Sequence, residues 1–150
     1  MPGIDECLLE TMRLPGARGA ALVDWTSGLA LGVVGEFPGG DAEAAAAEAA
    51  ELARPAMELK VFAPEDGSGT PAADSGAADG GAADGGAGGA GGLPVEDLIV
   101  TTRDGYHVLR FLPTGFDSTV FLHVWLGRAE GNLALARIRL GEMAGRLVLG

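Results

Sequence analysis

A low-complexity segment divides this chain and limits where regular structure can form. Residues 63–94 read APEDGSGTPAADSGAADGGAADGGAGGAGGLP, almost wholly Gly, Ala, Pro, Ser and Asp, with the unit GAADG written twice. A segment of this composition cannot bury enough apolar area to offset the entropy lost on ordering it. We therefore predict a single domain over residues 1–150 that is interrupted by a disordered insert at about residues 64–94.

The charge balance argues against several classes of partner. The chain has 21 acidic and 10 basic residues and a net charge of −11, which would repel the phosphate backbone of a nucleic acid. The sequence shows neither a basic and apolar leader nor an apolar run near the roughly 20 residues of a membrane span. We therefore expect a cytoplasmic protein with no nucleic-acid partner and no direct membrane insertion. Part of the acidity belongs to the insert, which has no basic residue and five acidic ones: Glu65, Asp66, Asp74, Asp79 and Asp84.

Apolar periodicity predicts four elements before the insert. They are a helix from Ile4 to about Leu14, a hairpin of strands Ala20–Asp24 and Leu29–Val34, and an alanine-rich helix that opens at Asp41. Asp41 is a suitable N-cap for the second helix, because its carboxylate can accept hydrogen bonds from free backbone N–H groups. Pro55 lacks such an N–H group, so we expect a kink or an end near Arg54.

Four further elements are predicted after the insert. They are strands Val95–Thr102, Gly105–Leu112 and Thr119–Leu126, and a helix from Glu130 to Val148. In the last strand both alternating sets of side chains are mostly apolar, which is typical of a strand covered on both faces. We therefore expect this strand near the middle of the sheet. Cys7, the single cysteine, shares an apolar helix face with Leu8 and is expected in the core.

The order helix, two strands, helix, three strands, helix resembles the roadblock/dynein light chain family, and in particular a bacterial roadblock-domain protein. The local matches are GAALVD at Gly19–Asp24, a turn glycine at Gly28, and AAAAEAAELA in the second helix. After the insert, VEDLIVTTRDGYHVLRFL and GNLALARIRLGEMAGRL fall in the corresponding places. The resemblance implies an α+β fold, a roadblock/profilin-like sandwich in which a five-stranded antiparallel sheet carries helices on both faces.

The same resemblance implies a function. Roadblock domains are non-enzymatic dimers that bind small Ras-like GTPases, and bacterial members include partners that stimulate GTP hydrolysis without contributing a catalytic arginine. In bacteria the domain often works beside a sensor-kinase-like protein. The alternative is a dimeric signalling adaptor that makes no direct contact with a GTPase.

Two surfaces are candidates for these contacts. The second helix has two adjacent stripes of small apolar residues, and one stripe would cover the sheet while the other meets a second subunit. The third predicted strand would add an exposed edge to that interface. The predicted dimer residues are Ala46, Ala50, Ala53, Met57, Leu98 and Val100. The predicted GTPase contacts are the polar side of the helix and the hairpin tip: Glu43, Glu51, Arg54, Glu58 and Trp25.

The sequence offers little catalytic chemistry. His107, His123 and Ser27 are raw parts of a hydrolase, but neither a G-x-S-x-G elbow nor an H-E-x-x-H motif accompanies them. The G-x-G-x-x-G match at Gly86 lies within the insert without a preceding strand, and the only lysine, Lys60, follows no P-loop. We expect no catalytic, metal or cofactor site, and we expect both histidines to be packed and hydrogen-bonded.

Overall fold

The computed structural model describes residues 3–63, 65, 93–112 and 120–149, with the side chains of residues 147–149 left out. Most of the predicted insert, including its G-x-G-x-x-G match, lies outside these residues. We number the elements in chain order. They are α1 (Ile4–Thr11), β1 (Ala17–Asp24), β2 (Leu29–Gly35), α2 (Ala42–Glu58), a short 3₁₀ turn (Lys60–Phe62), β3 (Asp97–Thr101), β4 (Gly105–Leu112), β5 (Val120–Gly127) and α3 (Leu133–Leu149).

The five strands form one antiparallel sheet in the order β2-β1-β5-β4-β3. β5 is the central strand, as its two-sided apolar pattern predicted, and it pairs with β1 (Leu22 opposite Leu122) and with β4 (Val108 opposite Val124). β2 and β3 are the two edges. The α+β class, the element order and the five-stranded antiparallel sheet are therefore confirmed.

Helices cover both faces of the sheet and create two cores. On the α1/α3 face, Leu8 and Leu140 are fully buried with strand residues such as Leu22 and Val124, and Cys7 is buried among them as expected. On the α2 face, alanines of α2 pack with aromatic side chains of the sheet and its flanking loops. These aromatic residues are Trp25, Phe37, Phe111, Phe121 and Trp125.

Helix α2 begins as predicted and continues past Arg54, so the end that was one of the two outcomes expected from Pro55 does not occur. The Asp41 carboxylate accepts hydrogen bonds of 3.1 Å from the backbone N–H groups of Glu43 and Ala44. The helix continues through Pro55 to Glu58. Pro55 is exposed, so the Glu51 carbonyl group that loses its helical partner can turn toward water, and this lowers the cost of the missing hydrogen bond.

Strand β1 begins at Ala17, three residues before its predicted start, because pairing with β5 extends it. Ala17 lies opposite Leu126 and Gly19 opposite Trp125, with a register shift between the two pairs. A side chain at Gly19 would clash with the carbonyl oxygen of Glu36. This close approach explains a glycine that breaks the apolar pattern of the strand.

Candidate partner-binding surface

The structure assigns the two stripes of α2 differently from the sequence prediction. The four helix residues predicted at the dimer interface are buried against the sheet of their own chain: Ala46, Ala50, Ala53 and Met57. Ala50 and Ala53 are fully buried and cannot meet another subunit. This stripe faces the sheet because Trp25, Phe111 and Phe121 fill the opposite side of the core and leave room only for small residues on the helix.

A neighbouring row of α2 is the one that reaches solvent. Its residues follow each other at intervals of four and three positions: Ala45, Ala49, Leu52, Ala56 and Leu59. The alanines lie at the border of the core, whereas Leu52 is 45% exposed and Leu59 is 50% exposed. We call these two leucines the α2 ridge. Val61 and Phe62 follow in the 3₁₀ turn, are also exposed, and extend the apolar surface beyond the helix.

Strand β3 is a free edge, and its predicted residues lie where an interface can use them. Within the described part of the chain β3 pairs only with β4. Leu98 and Val100 lie on the α2 face, opposite Leu109 and His107. Leu98 is half-buried and packs against the α2-face core, while Val100 is exposed. The outer N–H and C=O groups of an edge strand can pair with another strand.

The predicted GTPase contacts are split between exposed and engaged side chains. Glu43, Glu51 and Glu58 are exposed and give the outer side of α2 an acidic character. Arg54 is half-buried, and its Nη2 donates a 3.0 Å hydrogen bond to the Trp25 carbonyl oxygen. This hydrogen bond connects the hairpin turn to α2.

Trp25 is not the exposed anchor that its place in the hairpin turn suggested. Its side chain is only 8% exposed, and its ring packs edge-on against Phe111 with 5.2 Å between ring centroids. Burial of this large aromatic side chain is favourable because it removes its apolar area from water. Trp25 therefore belongs to the core.

The two histidines form a hydrogen-bonded pair on the α2 face, as expected of packed residues. Nδ1 of His107 lies 2.9 Å from Nε2 of His123, so one ring donates this hydrogen bond and the other accepts it. Burial, and then the neighbouring His107, lower the pKa of His123 to about 3, and burial lowers the pKa of His107. Both rings are thus held neutral near pH 7.

We examined the described residues for groups of metal-ligating side chains and for helices that could span a membrane. In that part of the chain, no group of three or more His, Cys, Asp and Glu side chains could hold a metal ion. None of the helices that the structure describes is long and apolar enough to cross a membrane. The hydroxyl oxygen of Ser27 accepts a 3.2 Å hydrogen bond from the Leu29 N–H group in the turn.

An antiparallel five-stranded sheet with helices on both faces and a free β3 edge defines a roadblock-type sandwich, and solved structures agree. A Roadblock/LC7 domain from Streptomyces avermitilis matches with a TM-score of 0.62 and 18% identity, over 96% of this chain and 93% of that one. Myxococcus xanthus MglB matches with a TM-score of 0.59 and 17% identity, over 93% and 86% of the two chains. An MglB with a tetrameric arrangement matches with a TM-score of 0.59 and 14% identity, over 96% and 84%.

These similarities establish the fold. The chain has the roadblock fold, in agreement with the resemblance of its sequence. No family model and no curated protein matches the chain in sequence.

Proposed function

We propose that this protein acts in the cytoplasm as a non-enzymatic regulatory or scaffold protein that forms a homodimer and binds a small Ras-like GTPase. The observation that carries the proposal is the roadblock fold with two surfaces that no described part of the chain covers, the α2 ridge and the β3 edge. The family that the sequence resembles uses such a domain for this purpose. The similarity to an MglB with a tetrameric arrangement supports self-association.

The dimer would use the α2 ridge in place of the buried alanine stripe. Leu52 on α2 and Leu59, the residue directly after the helix, expose apolar area that a second copy can cover. Val100 and Leu98 add the β3 edge, and pairing of two such edges would satisfy their outer N–H and C=O groups. A symmetric contact of this kind brings the same patch of both subunits together.

The GTPase would meet the acidic outer side of α2, at Glu43, Glu51 and Glu58. The switch loops of a small GTPase change shape with the γ-phosphate, so a partner that prefers the GTP form must touch them. Arg54 is bound to the Trp25 carbonyl oxygen, and the Arg18 guanidinium lies over the Trp125 ring at 5.3 Å from its centroid. Stimulated hydrolysis would therefore come from holding the switch loops, because neither arginine is placed as an inserted finger.

The test combines the oligomeric state with nucleotide preference. Light scattering should give twice the chain mass for the wild type and for Ala44→Glu, a control that adds the same charge at another exposed position of α2. Leu52→Glu should give the monomer mass and lose binding to the GTPase from the same cell. The wild-type dimer should bind that GTPase more tightly with a non-hydrolysable GTP analogue than with GDP.

Each other result contradicts part of the proposal. A wild-type monomer at tens of micromolar would refute the dimer. Equal affinity for the two nucleotide forms would reduce the protein to a scaffold. A dimer that binds no cellular GTPase would favour a signalling adaptor, for example one that contacts a sensor-kinase-like protein.

A further inference from the structure

A groove on the α1/α3 face, remote from the α2 ridge, holds an arginine that makes no hydrogen bond to the residues that the structure describes. The groove has a volume of about 430 Å³ and is lined by residues of β4 and α3: Arg110, Arg137, Ile138, Gly141 and Glu142. Asp97 at the start of β3 lies opposite Arg110 in the strand register. We call this feature the Arg110 groove.

The Arg110 guanidinium is partly buried without a hydrogen bond among the described residues. Its side chain is only 22% exposed, and its buried Nε atom lacks a partner. Nη1 forms an ion pair with Asp97 Oδ2 at 3.6 Å, which is longer than a good hydrogen bond, and the same oxygen accepts a 3.0 Å hydrogen bond from Arg137 Nε. A guanidinium has five N–H donors and no acceptor. The Nη groups of Arg110 can therefore receive an oxyanion from the groove.

Gly141 keeps the space in front of these donors open. A Cβ atom at this position would lie 3.6 Å from Arg110 Nη2, which is an ordinary contact distance. A side chain at this position would begin in contact with the guanidinium, whereas the glycine leaves that space free for an acceptor from outside the chain.

The surroundings favour an acidic ligand that also has apolar side chains. Residues before Gly105 include eighteen acidic and five basic residues, whereas five arginines and three acidic residues follow from Gly105 onward. The groove itself is lined by two arginines and one glutamate, and Asp97 beside it pairs with both arginines. Ile138 in its wall is 60% exposed, and Ile99, exposed as well, follows Asp97 on the same face of β3.

We propose that the Arg110 groove binds an extended acidic and apolar segment of a partner protein, with a carboxylate of that segment on the Nη groups of Arg110. Charge-assisted hydrogen bonds to a guanidinium set the position of the carboxylate, and Ile138 and Ile99 cover the neighbouring apolar side chains. Asp97 positions the two guanidinium groups. Glu142 in the same groove is an internal competitor, because its carboxylate is the nearest negative charge on α3. This proposal is independent of the dimer and of the GTPase contact.

The test is a titration of the full, isotope-labelled chain followed by its backbone amide signals. The probe is a short acetylated peptide that alternates leucine with glutamate, and its control has glutamine in place of each glutamate. The glutamate peptide should shift the Gly141 and Ile138 amides, and the glutamine peptide should not. Arg110→Gln should weaken binding about tenfold or more, since a charged hydrogen-bond partner is lost. Glu142→Gln should tighten binding severalfold.

Two further variants keep the result interpretable if Arg110→Gln disturbs the fold. Arg137→Gln changes a more exposed arginine of the groove and should also weaken binding. Arg139→Gln, on the exposed side of α3 outside the groove lining, should leave it unchanged. Equal binding of the two peptides, or loss with Arg139→Gln alone, would overturn the proposal. Inorganic phosphate that shifts the same amides with the affinity of the peptide would overturn it too, because the site would then take any free anion.

Discussion

The hydrogen-bonded pair of His107 and the buried His123 predicts how the stability of this protein depends on pH. His123 is a base whose pKa falls from 6.5 to about 3 on folding, because burial and the neighbouring His107 disfavour its charged form. In the unfolded chain the same imidazole protonates below about pH 6.5. Its contribution to stability is therefore fully present above that pH and is lost as the pH falls toward the folded value.

The magnitude follows from this difference in pKa. Each pH unit below 6.5 costs about 1.4 kcal/mol, so the free energy of unfolding should fall by about 2 kcal/mol between pH 7.5 and pH 5.0 from His123 alone. His107 changes stability in the same direction, because burial lowers its pKa as well. A loss of about 2 kcal/mol is a substantial fraction of the roughly 5–15 kcal/mol that stabilises a typical domain.

Urea unfolding at fixed protein concentration, repeated at several pH values, measures the effect. Within this window most carboxylates stay ionised, which isolates the histidines. His123→Gln should lose about 2 kcal/mol of the pH dependence, and the matched variant His107→Gln should lose less. The reasoning would be refuted by a His123→Gln variant whose unfolding free energy falls as steeply with acid as that of the wild type.

Three other predictions test the core, a helix end and the insert. Ala50→Leu should lower the unfolding free energy by about 1–3 kcal/mol in urea, because Ala50 is fully buried against the sheet; an unchanged value would argue that α2 lies further from the sheet. Asp41→Ala should cost about 1 kcal/mol, since two backbone N–H groups lose their acceptor; Asp41→Asn should retain most of the stability. Deletion of residues 66–91 should leave one cooperative thermal transition and could add about 1.6 kcal/mol from the shorter loop, whereas loss of that transition would show that the insert is part of the fold.

Local patterns in the sequence predicted the elements and the fold class. Each of these patterns involves only a few neighbouring residues and is therefore visible in a single sequence. Examples are the apolar spacing around Leu22, the two-sided apolar pattern of β5 and the helix cap at Asp41. The order of these elements was sufficient to indicate the roadblock fold. An exposed edge on the third predicted strand was also expected, and the sheet order places β3 at an edge.

Tertiary structure alone decided which side chains are free to meet a partner. The two stripes of α2 are both built mainly from alanine, and hydrophobic periodicity cannot choose between stripes of equal character. The Ala50 stripe is the one that packs on the sheet, because Phe111 and Phe121, from strands far along the chain, leave space only for small residues. The leucines of the α2 ridge therefore remain exposed to solvent. The same long-range packing buried Trp25 and brought Asp97 beside Arg110 and Arg137. Such neighbours depend on sheet register and on the layering of helices over it, which no local pattern encodes.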